Sequence, residues 1–357
     1  MKAAILKCRP GSQFHFGKYA PDSDTALNDS SIIMHSDTLF AALVNTYNDI
    51  FSDTDDFVRC FEDGEIRISS VFFCLEQLGK FVWFLPKPLS FDMVKADDYK
   101  SFKHIRYISK KIWEHIDSPK DLADLMSAKE KKVVVLQDSF VMFKDEIKLL
   151  TPGTTDVWER LKLYYTINLP KVQVRETKNE GNLYQLNVIE IADIGKHARG
   201  LNTNYYFLYE FSDSIKEHFK ERFKQMLKVL SHTGIGAERS TIGQVEEIIP
   251  EESAWKTPTG DNENLCTLSL LSPDERDLPL LQYYRTIIRG GRAIGRKEGN
   301  TQLHLQSLQM IQEGAVVSGE VKGKVHLINP DNAAEKSLPK FKRCGTVITL
   351  PLKKSWL

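Results

Sequence analysis

The stretch H-T-G-I-G-A-E-R-S-T-I-G-Q-V, His232 to Val245, holds Gly234, Gly236 and Gly243 around Arg239 and Ser240. It follows the strongest helical periodicity in the chain. Ile215, Phe219, Phe223, Met226, Leu227 and Leu230 recur every three or four residues behind Ser214-Ile215-Lys216-Glu217, which reads as a capping box. Beyond the loop, Gln244 to Pro250 reads as a strand. The local order is helix, glycine loop, strand, and the apolar stripe predicts that the helix packs on a sheet.

Glycines admit positive φ and close backbone approach, so the loop suits gripping a phosphate chain; it equally suits a tight helix-to-strand connection. Two nucleotide motifs are excluded. The residues after Gly236 and Gly243 supply no Gly-Lys-Ser/Thr of a P-loop, and a dinucleotide fingerprint from Gly234 needs glycine where Arg239 stands. The preceding helix presents its negative end to the loop, so an anion here has to be held by loop amides and Arg239.

Working outward, Asn204 to Phe211 reads as a strand leading into the helix, and Lys2 to Cys8 as another, ended by Arg9-Pro10-Gly11. Ser36 is a ready N-cap, with Asp37 at the positive end of the dipole. Two stripes follow, Leu39, Leu43, Thr46, Ile50 and Phe40, Val44, Tyr47, Phe51, so this helix is buried on more than one side. Glu65 to Leu75 and Lys80 to Leu85 read as a strand pair turning at Leu78-Gly79 and ended by Pro86 and Pro88. The order β-α-β-β, insertion, α-β predicts an α+β fold whose first domain, residues 1–86 and 204–250, is ferredoxin-like (RRM-like).

Residues 87–203 read as a large insertion that projects from this core. Ser101 to Trp113 is basic with interleaved aromatics, and Lys103 to Trp113 reads as a helix packed on a neighbour in preference to an RNA groove, while Pro119 opens a short helix. Lys132 to Leu136, Phe140 to Leu149, Leu163 to Arg175 and Leu183 to Ile191 are β-prone and joined by turns such as Glu180-Gly181-Asn182, a pattern of hairpins. Residues 251–264 read as a linker. Residues 265–357 predict a second, distorted ferredoxin-like domain of short strands, with a helical period only at Gln302 to Ile311.

A chain of 357 residues is long for one core, which favours two domains. The 48 Lys/Arg balance 48 Asp/Glu, which argues against a generic polyanion coat. Arg276 to Leu357 nevertheless carries 14 Lys/Arg against 6 Asp/Glu, so this part is +8 and the remainder −8. A local anion site and separate partner surfaces are the expectation. Five scattered cysteines without C-x-x-C argue for a reducing compartment and against a zinc ribbon. The apolar run at Val71 to Leu85 is broken by Glu76, Gln77 and Lys80 and cannot span a membrane. A soluble, cytoplasmic protein is expected.

Taken together, F-H-F-G at 14–17, H-S-D-T-L at 35–39, P-K-V-Q-V-R at 170–175 and G-I-G-A-E-R-S-T-I-G at 234–243 resemble the RAMP superfamily of CRISPR proteins. Within it the chain resembles the fourth-subunit family of the type III-A Csm effector complex. Arg285, Arg289, Gly290, Gly291 and Arg292 within 284–293, E-G-A-V at 313–316 and C-G-T-V-I-T-L-P at 344–351 also fit. Ala237 stands where the family often has a second adjacent glycine. The resemblance implies a non-catalytic subunit that needs no metal or cofactor and holds the 5′ repeat-derived tag of the crRNA. It further implies docking to the large polymerase/nuclease subunit and to the adjacent backbone subunit, a hairpin inserted like a thumb at the guide, and a hetero-oligomeric ribonucleoprotein away from membranes.

The candidate RNA-binding residues follow. Gly234, Ile235, Gly236, Arg239, Ser240 and Gly243 offer amides, a hydroxyl and a guanidinium to the RNA backbone. His35 and Ser36 lie at a helix N-terminus, where a phosphate could sit; an ordinary cap is the alternative. His15 and Phe16 could meet an unpaired base, or Phe16 could plug the core. Lys171, Gln173 and Arg175 share one strand face, suited to RNA or to solvent. Arg289 and Arg292, beside the Gly290-Gly291 turn, are the preferred contacts of a basic wall with Arg285 and Arg296. The rival readings are a RAMP endoribonuclease using His15, His35 or His232 on a 2′-hydroxyl, and an adaptor that touches no RNA.

Overall fold

The computed structural model describes residues 1–18, 29–94, 99–128, 132–150, 158, 161–174, 181–195, 199–239, 241–251, 254–294, 302–329 and 340–357. The N-terminal strand is β1 (Lys2–Lys7), with Ala3 to Leu6 all buried. A two-residue β2 (Gln13–Phe14) follows. The double stripe forms α1 (Ser36–Ile50), after which a short α2 (Thr54–Glu62) appears that pattern reading missed. The strand expected over Glu65 to Leu75 divides into β3 (Ile66–Ile68) and β4 (Phe72–Gln77), because the Ser70 amide leaves the ladder to donate to the Leu268 carbonyl at 2.9 Å. Its hairpin partner is β5 (Lys80–Pro86).

The insertion contains α3 (Tyr99–His104), β6 (Tyr107–Ser109), α4 (Lys110–His115), α5 (Pro119–Ser127), β7 (Val133–Leu136), β8 (Phe140–Phe143) and α6 (Lys144–Leu150). The expected basic-aromatic helix is thus two short helices around a strand, and the strand expected over Phe140 to Leu149 turns helical at Lys144. Ser118 and Asp121 close a full capping box on α5. Then come the long hairpin β9 (Tyr164–Val174) and β10 (Gly181–Ile191), then β11 (Asn202–Phe211), α7 (Glu217–Thr233) and β12 (Glu247–Glu251). The capping box expected for α7 is absent: Lys216 is the N-cap, without a side-chain bond, and the Ser214 hydroxyl meets that of Ser212 at 2.7 Å.

The main sheet has the order β12-β1-β11-β4-β5-β6-β8-β7, with β3 also on β11, and only β6 and β8 run parallel. This corrects the expected strand assignment. The strand between β1 and β4 is β11, from beyond the insertion, and β5 lies outside β4. Thr203 to Tyr209 are buried without alternation, which fits a central strand covered on both faces. The insertion also joins this sheet through β6, β8 and β7 and shares its core, so it does not simply project. Only β9 and β10 stand apart, in a three-stranded sheet of order β2-β10-β9.

The C-terminal part begins with β13 (Asp261–Thr267), which takes the last residues of the expected linker, and continues with β14 (Leu281–Tyr283), β15 (Thr286–Ile294), β16 (Gln302–Ile311) and β17 (Val316–Val317). It ends with β18 (Val325–Leu327), β19 (Lys342–Cys344) and β20 (Thr349–Leu352). Its sheet has the order β14-β17-β13-β20, beside the hairpin β15-β16 and the pair β18-β19. The helix expected at Gln302 to Ile311 is strand β16: Leu303-His304-Leu305 alternates with period two, and pairing with β15 decides the outcome.

One apolar core runs through both parts. Cys266, Leu268, Ile348, Leu350, Leu352 and Trp356 belong to the same packed cluster as β1, α1 and α7. Trp356 meets Phe91 edge-on at 5.0 Å and Trp113 at 5.2 Å. All five cysteines are buried and free, and among the described residues no helix is long and apolar enough to cross a membrane.

Candidate nucleic-acid interface

The apolar stripe of α7, Phe219, Phe223, Met226, Leu227 and Leu230, is buried against the sheet. The helix ends at Gly234, whose φ of 80° releases the chain and whose amide donates to the Leu230 carbonyl at 3.0 Å. The loop then folds back on itself: the Ile235 amide donates to the Gly243 carbonyl at 2.9 Å. It also clasps the segment after β1. The Gly243 amide donates to Gln13 O at 2.8 Å, and the Ala237 amide to His15 O at 3.0 Å. The closeness explains the glycines, since a Cβ at Gly243 would lie 2.2 Å from Ile235 O and one at Gly236 2.5 Å from His15 O.

The same loop seats the long hairpin. Ile242 packs with Leu186 and Val188 of β10, with Ile167, Leu169 and Tyr184 around them. Register puts Lys171 opposite Tyr184, next along this face. Burial and the nearby Glu238 carboxylate push the Tyr184 phenol upward, which ties the loop to this point of the hairpin. On the opposite face Val172 and Leu183 face each other and are exposed. His15 closes the cluster, donating from Nδ1 to the Asn187 carbonyl at 2.6 Å.

The structure therefore unites His15, Phe16, Lys171 and the glycine loop, but changes several of their expected roles. The amides of Gly234, Ile235 and Gly243 are engaged by protein carbonyls and cannot serve phosphate without breaking those bonds. Those of Gly236, Glu238 and Arg239 have no acceptor among the described residues, and neither the Arg239 guanidinium nor the Lys171 ammonium has an acidic partner there. His15 is 1% exposed and hydrogen-bonded, so it is not a base reader. Phe16, also buried, stacks on Phe14 at 5.8 Å and meets Tyr205 edge-on, as a core plug. Arg175 and Ser240, like Arg296, lie outside the described residues.

His35, Ser36 and Arg289 belong to a second, separate cluster that joins α1 to the C-terminal part. Ser36 Oγ accepts the Leu270 amide at 3.0 Å, the Ser36 amide donates to Ser70 Oγ at 2.9 Å, and the Thr38 and Leu39 amides donate to His35 O. The helix N-terminus is thus occupied, not open to phosphate. Arg289 donates from Nε and one terminal nitrogen to the two Asp37 oxygens, both at 3.0 Å, and is 6% exposed. Burial works to raise the Asp37 pKa, but the Arg289 and Arg343 charges override it and hold it at about 2. His35 Nδ1 meets Glu313 Oε1 at 2.8 Å, and Ser70 donates to the same oxygen. Burial opposes ionisation of Glu313 too, yet His35 and Ser70 keep its pKa below the ordinary value.

Arg289 is therefore a structural arginine, not an RNA contact. Its buried bidentate pairing with Asp37 leaves no face for a phosphate. Arg292 lies on β15 opposite His304, three residues along the same strand. Sequence reasoning missed Tyr184 and Ile242, whose roles depend on a contact between the loop and a hairpin far away in the chain, and Glu313 and Asp37 as partners. The one available signal was the pairing of like polar motifs, H-S-D at 35–37 with R-G-G-R at 289–292 and E-G at 313–314.

Comparison with known proteins gives this arrangement a class. Residues 260–352 match the family described as the CRISPR Csm4 C-terminal domain. The "CRISPR system Cms protein Csm4" of Methanocaldococcus jannaschii is 26% identical over 367 residues, covering 93% of this chain and 90% of that protein. Among solved structures, a chain of a Csm3-Csm4 subcomplex of the type III-A CRISPR-Cas interference complex superposes with TM-score 0.64 at 20% identity, covering 99% of this chain and all of that one. A chain of a Csm1-Csm4 cassette in complex with pppApA does so with TM-score 0.53 at 17% identity, covering 99% and 98%. The chain is thus similar to a CRISPR Csm4 protein over most of its length, and residues 260–352 match the Csm4 C-terminal family. More narrowly, it is Csm4-like, and it shares the fold of a chain in a type III-A subcomplex.

Proposed function

We propose that this chain is a non-catalytic, RNA-binding subunit of a type III-A Csm effector complex acting in the cytoplasm, and that it holds the 5′ tag of the crRNA. The observation that carries the proposal is the single cluster formed by the glycine loop, β2 and the β9-β10 hairpin. Among the described residues it leaves the amides of Gly236, Glu238 and Arg239, the Arg239 guanidinium and Lys171 without a protein partner, on a loop and a hairpin that pack together through Ile242. Adjacent free amides in a turn with positive φ at Gly236 and Glu238 are an anion-binding geometry, and a guanidinium beside them suits a phosphodiester.

The hairpin serves as the thumb at the guide. By analogy with the Csm4 chains solved with Csm3 and with Csm1, the subunit docks to the backbone and to the large polymerase/nuclease subunit. The strand order β12-β1-β11-β4, flanked by α1 and α7, supports a ferredoxin-like first domain with its insertion between the second and third strands. Residues 265–357 are read as a degenerate second unit that keeps strands and has no α-helix among its described residues. The endoribonuclease reading loses two of its three candidates, because His15 and His35 are buried and hydrogen-bonded and neither reaches a 2′-hydroxyl, which leaves it the exposed His232. In the assembled complex, Arg239→Glu is expected to release tag RNA at moderate salt. Unchanged retention would transfer the chain to the adaptor class, and repeat-RNA cleavage by the purified chain would restore the nuclease.

A further inference from the structure

Helix α7 carries a second pattern besides its apolar stripe. Lys216, Lys220, Lys224, Lys228 and His232 follow one another at intervals of four, forming a continuous basic ridge from the N-cap to the last turn. Lys216, Lys224, Lys228 and His232 are exposed; Lys220 is paired with Glu217 at 3.0 Å, and Lys224 also engages a neighbour within the chain. Four residues of helix rise about 6 Å, so the ridge is about 24 Å long. Each step also turns about 40° around the axis. The ridge starts on the flank beside the buried stripe and reaches the outermost face at Lys228 and His232, two residues before Gly234. The acids of the neighbouring row, Glu217 and Glu221, lie in the first half, and Gln225 and Val229 continue that row. The positive charge therefore grows towards the glycine loop.

Cations in the last turn also complement the helix dipole, but that effect fades within a turn and does not require a lysine at every fourth position over the full helix. We infer that the α7 ridge is a second RNA-binding surface, a track for the backbone of the single strand held at the glycine loop. Resting on the proposed RNA-binding role of that loop, it extends the footprint by the length of the helix. The occupant is single-stranded RNA on two grounds: the ridge runs continuously into the proposed phosphate-binding loop, and a regularly spaced row of ammonium groups matches a repeating phosphate chain by charge. Backbone contacts of this kind position the strand without reading its sequence.

The test is fluorescence anisotropy of the full chain with labelled single-stranded RNAs of about 8 and about 16 nucleotides across a salt series. The wild type should bind the longer RNA more tightly and with the steeper salt slope. Lys224→Gln with Lys228→Gln should leave short-RNA binding unchanged and flatten the long-RNA slope by about 1.4, two single-strand phosphate contacts. Arg239→Gln should weaken both lengths alike. A double variant with an unchanged long-RNA slope overturns the track. So does a wild type indifferent to length, or a double variant that binds RNA normally but fails to co-purify with a Csm subunit, which would make the ridge a protein-docking face. Failure of Arg239→Gln to weaken the short RNA counts against the loop reading alone, because the length dependence judges the ridge separately. Circular dichroism melts of both variants exclude loss of the helix as the cause.

Discussion

Arg239 and Arg289 both stand near glycines, and in the linear sequence they look alike, although Gly290 and Gly291 lie within strand β15 and not in a turn. Their surroundings separate them. Arg289 is locked to Asp37 by two hydrogen bonds in a buried site, whereas Arg239 is half-buried, with its carbonyl accepting from Gln244 at 2.6 Å and its guanidinium without an acidic partner among the described residues. Removing one member of a buried pair leaves the other charge desolvated. Arg289→Gln is therefore expected to lower stability by about 3–5 kcal/mol, measured by urea unfolding, with no change in the salt slope of RNA binding in the protein that remains folded. The same cluster sets an acid limit. Asp37 and Glu313 have depressed pKa values when folded, so their stabilisation is complete above the ordinary carboxylate range and is lost as pH falls. Melting temperature should fall between about pH 4 and pH 2, and Asp37→Asn should remove part of that dependence. The residue types of this cluster were visible in the sequence, but not their partners, because Asp37 and Arg289 are 252 positions apart.

At the scale of elements, period was a good guide and ladder order was not. The stripe of α7, the hairpin β9-β10 and β11 were legible because apolar spacing reports local geometry directly. Leu303-His304-Leu305 was ambiguous over so short a run, and pairing with β15 made it a strand. The entry of β11 between β1 and β4 is a long-range choice that no local pattern encodes. The glycine loop shows the same division. Its three glycines marked a close approach, but the approaching group is the backbone of Gln13 to His15 and of the loop itself. Gly243→Ala would put a Cβ 2.2 Å from Ile235 O at a φ of 89°, so the loop must open between Ile235 and Gly243. A loss of about 1–3 kcal/mol is expected, measured by thermal unfolding, together with faster amide exchange at Ile235 and Ala237.

For the whole molecule, the sequence suggested two domains on a linker, whereas the structure joins them through one core and one polar seam. Ser269 Oγ donates to Ile68 O at 2.7 Å and accepts the Ile348 amide at 3.0 Å, so a side chain of the C-terminal part bridges both. Gly314 approaches the start of the insertion, with its carbonyl accepting the Leu89 amide at 2.8 Å. Removing residues 260–357 would expose the apolar surface that Leu268, Leu350, Leu352 and Trp356 cover. The shortened chain is expected to be insoluble, or to bind a hydrophobic dye and unfold without a cooperative transition. A soluble fragment with a sharp transition would mean that the two parts are independent after all.

The central claim is that the crRNA tag lies on the cluster of glycine loop and hairpin and not on the arginines of β15. Ultraviolet crosslinking of the assembled ribonucleoprotein, followed by mass spectrometry of the RNA-bearing peptides, tests it most directly. Crosslinks within residues 164–174, 181–191 and 234–243 are the predicted result. Crosslinks confined to residues 285–294, or none on this chain while neighbouring subunits are labelled, would contradict it.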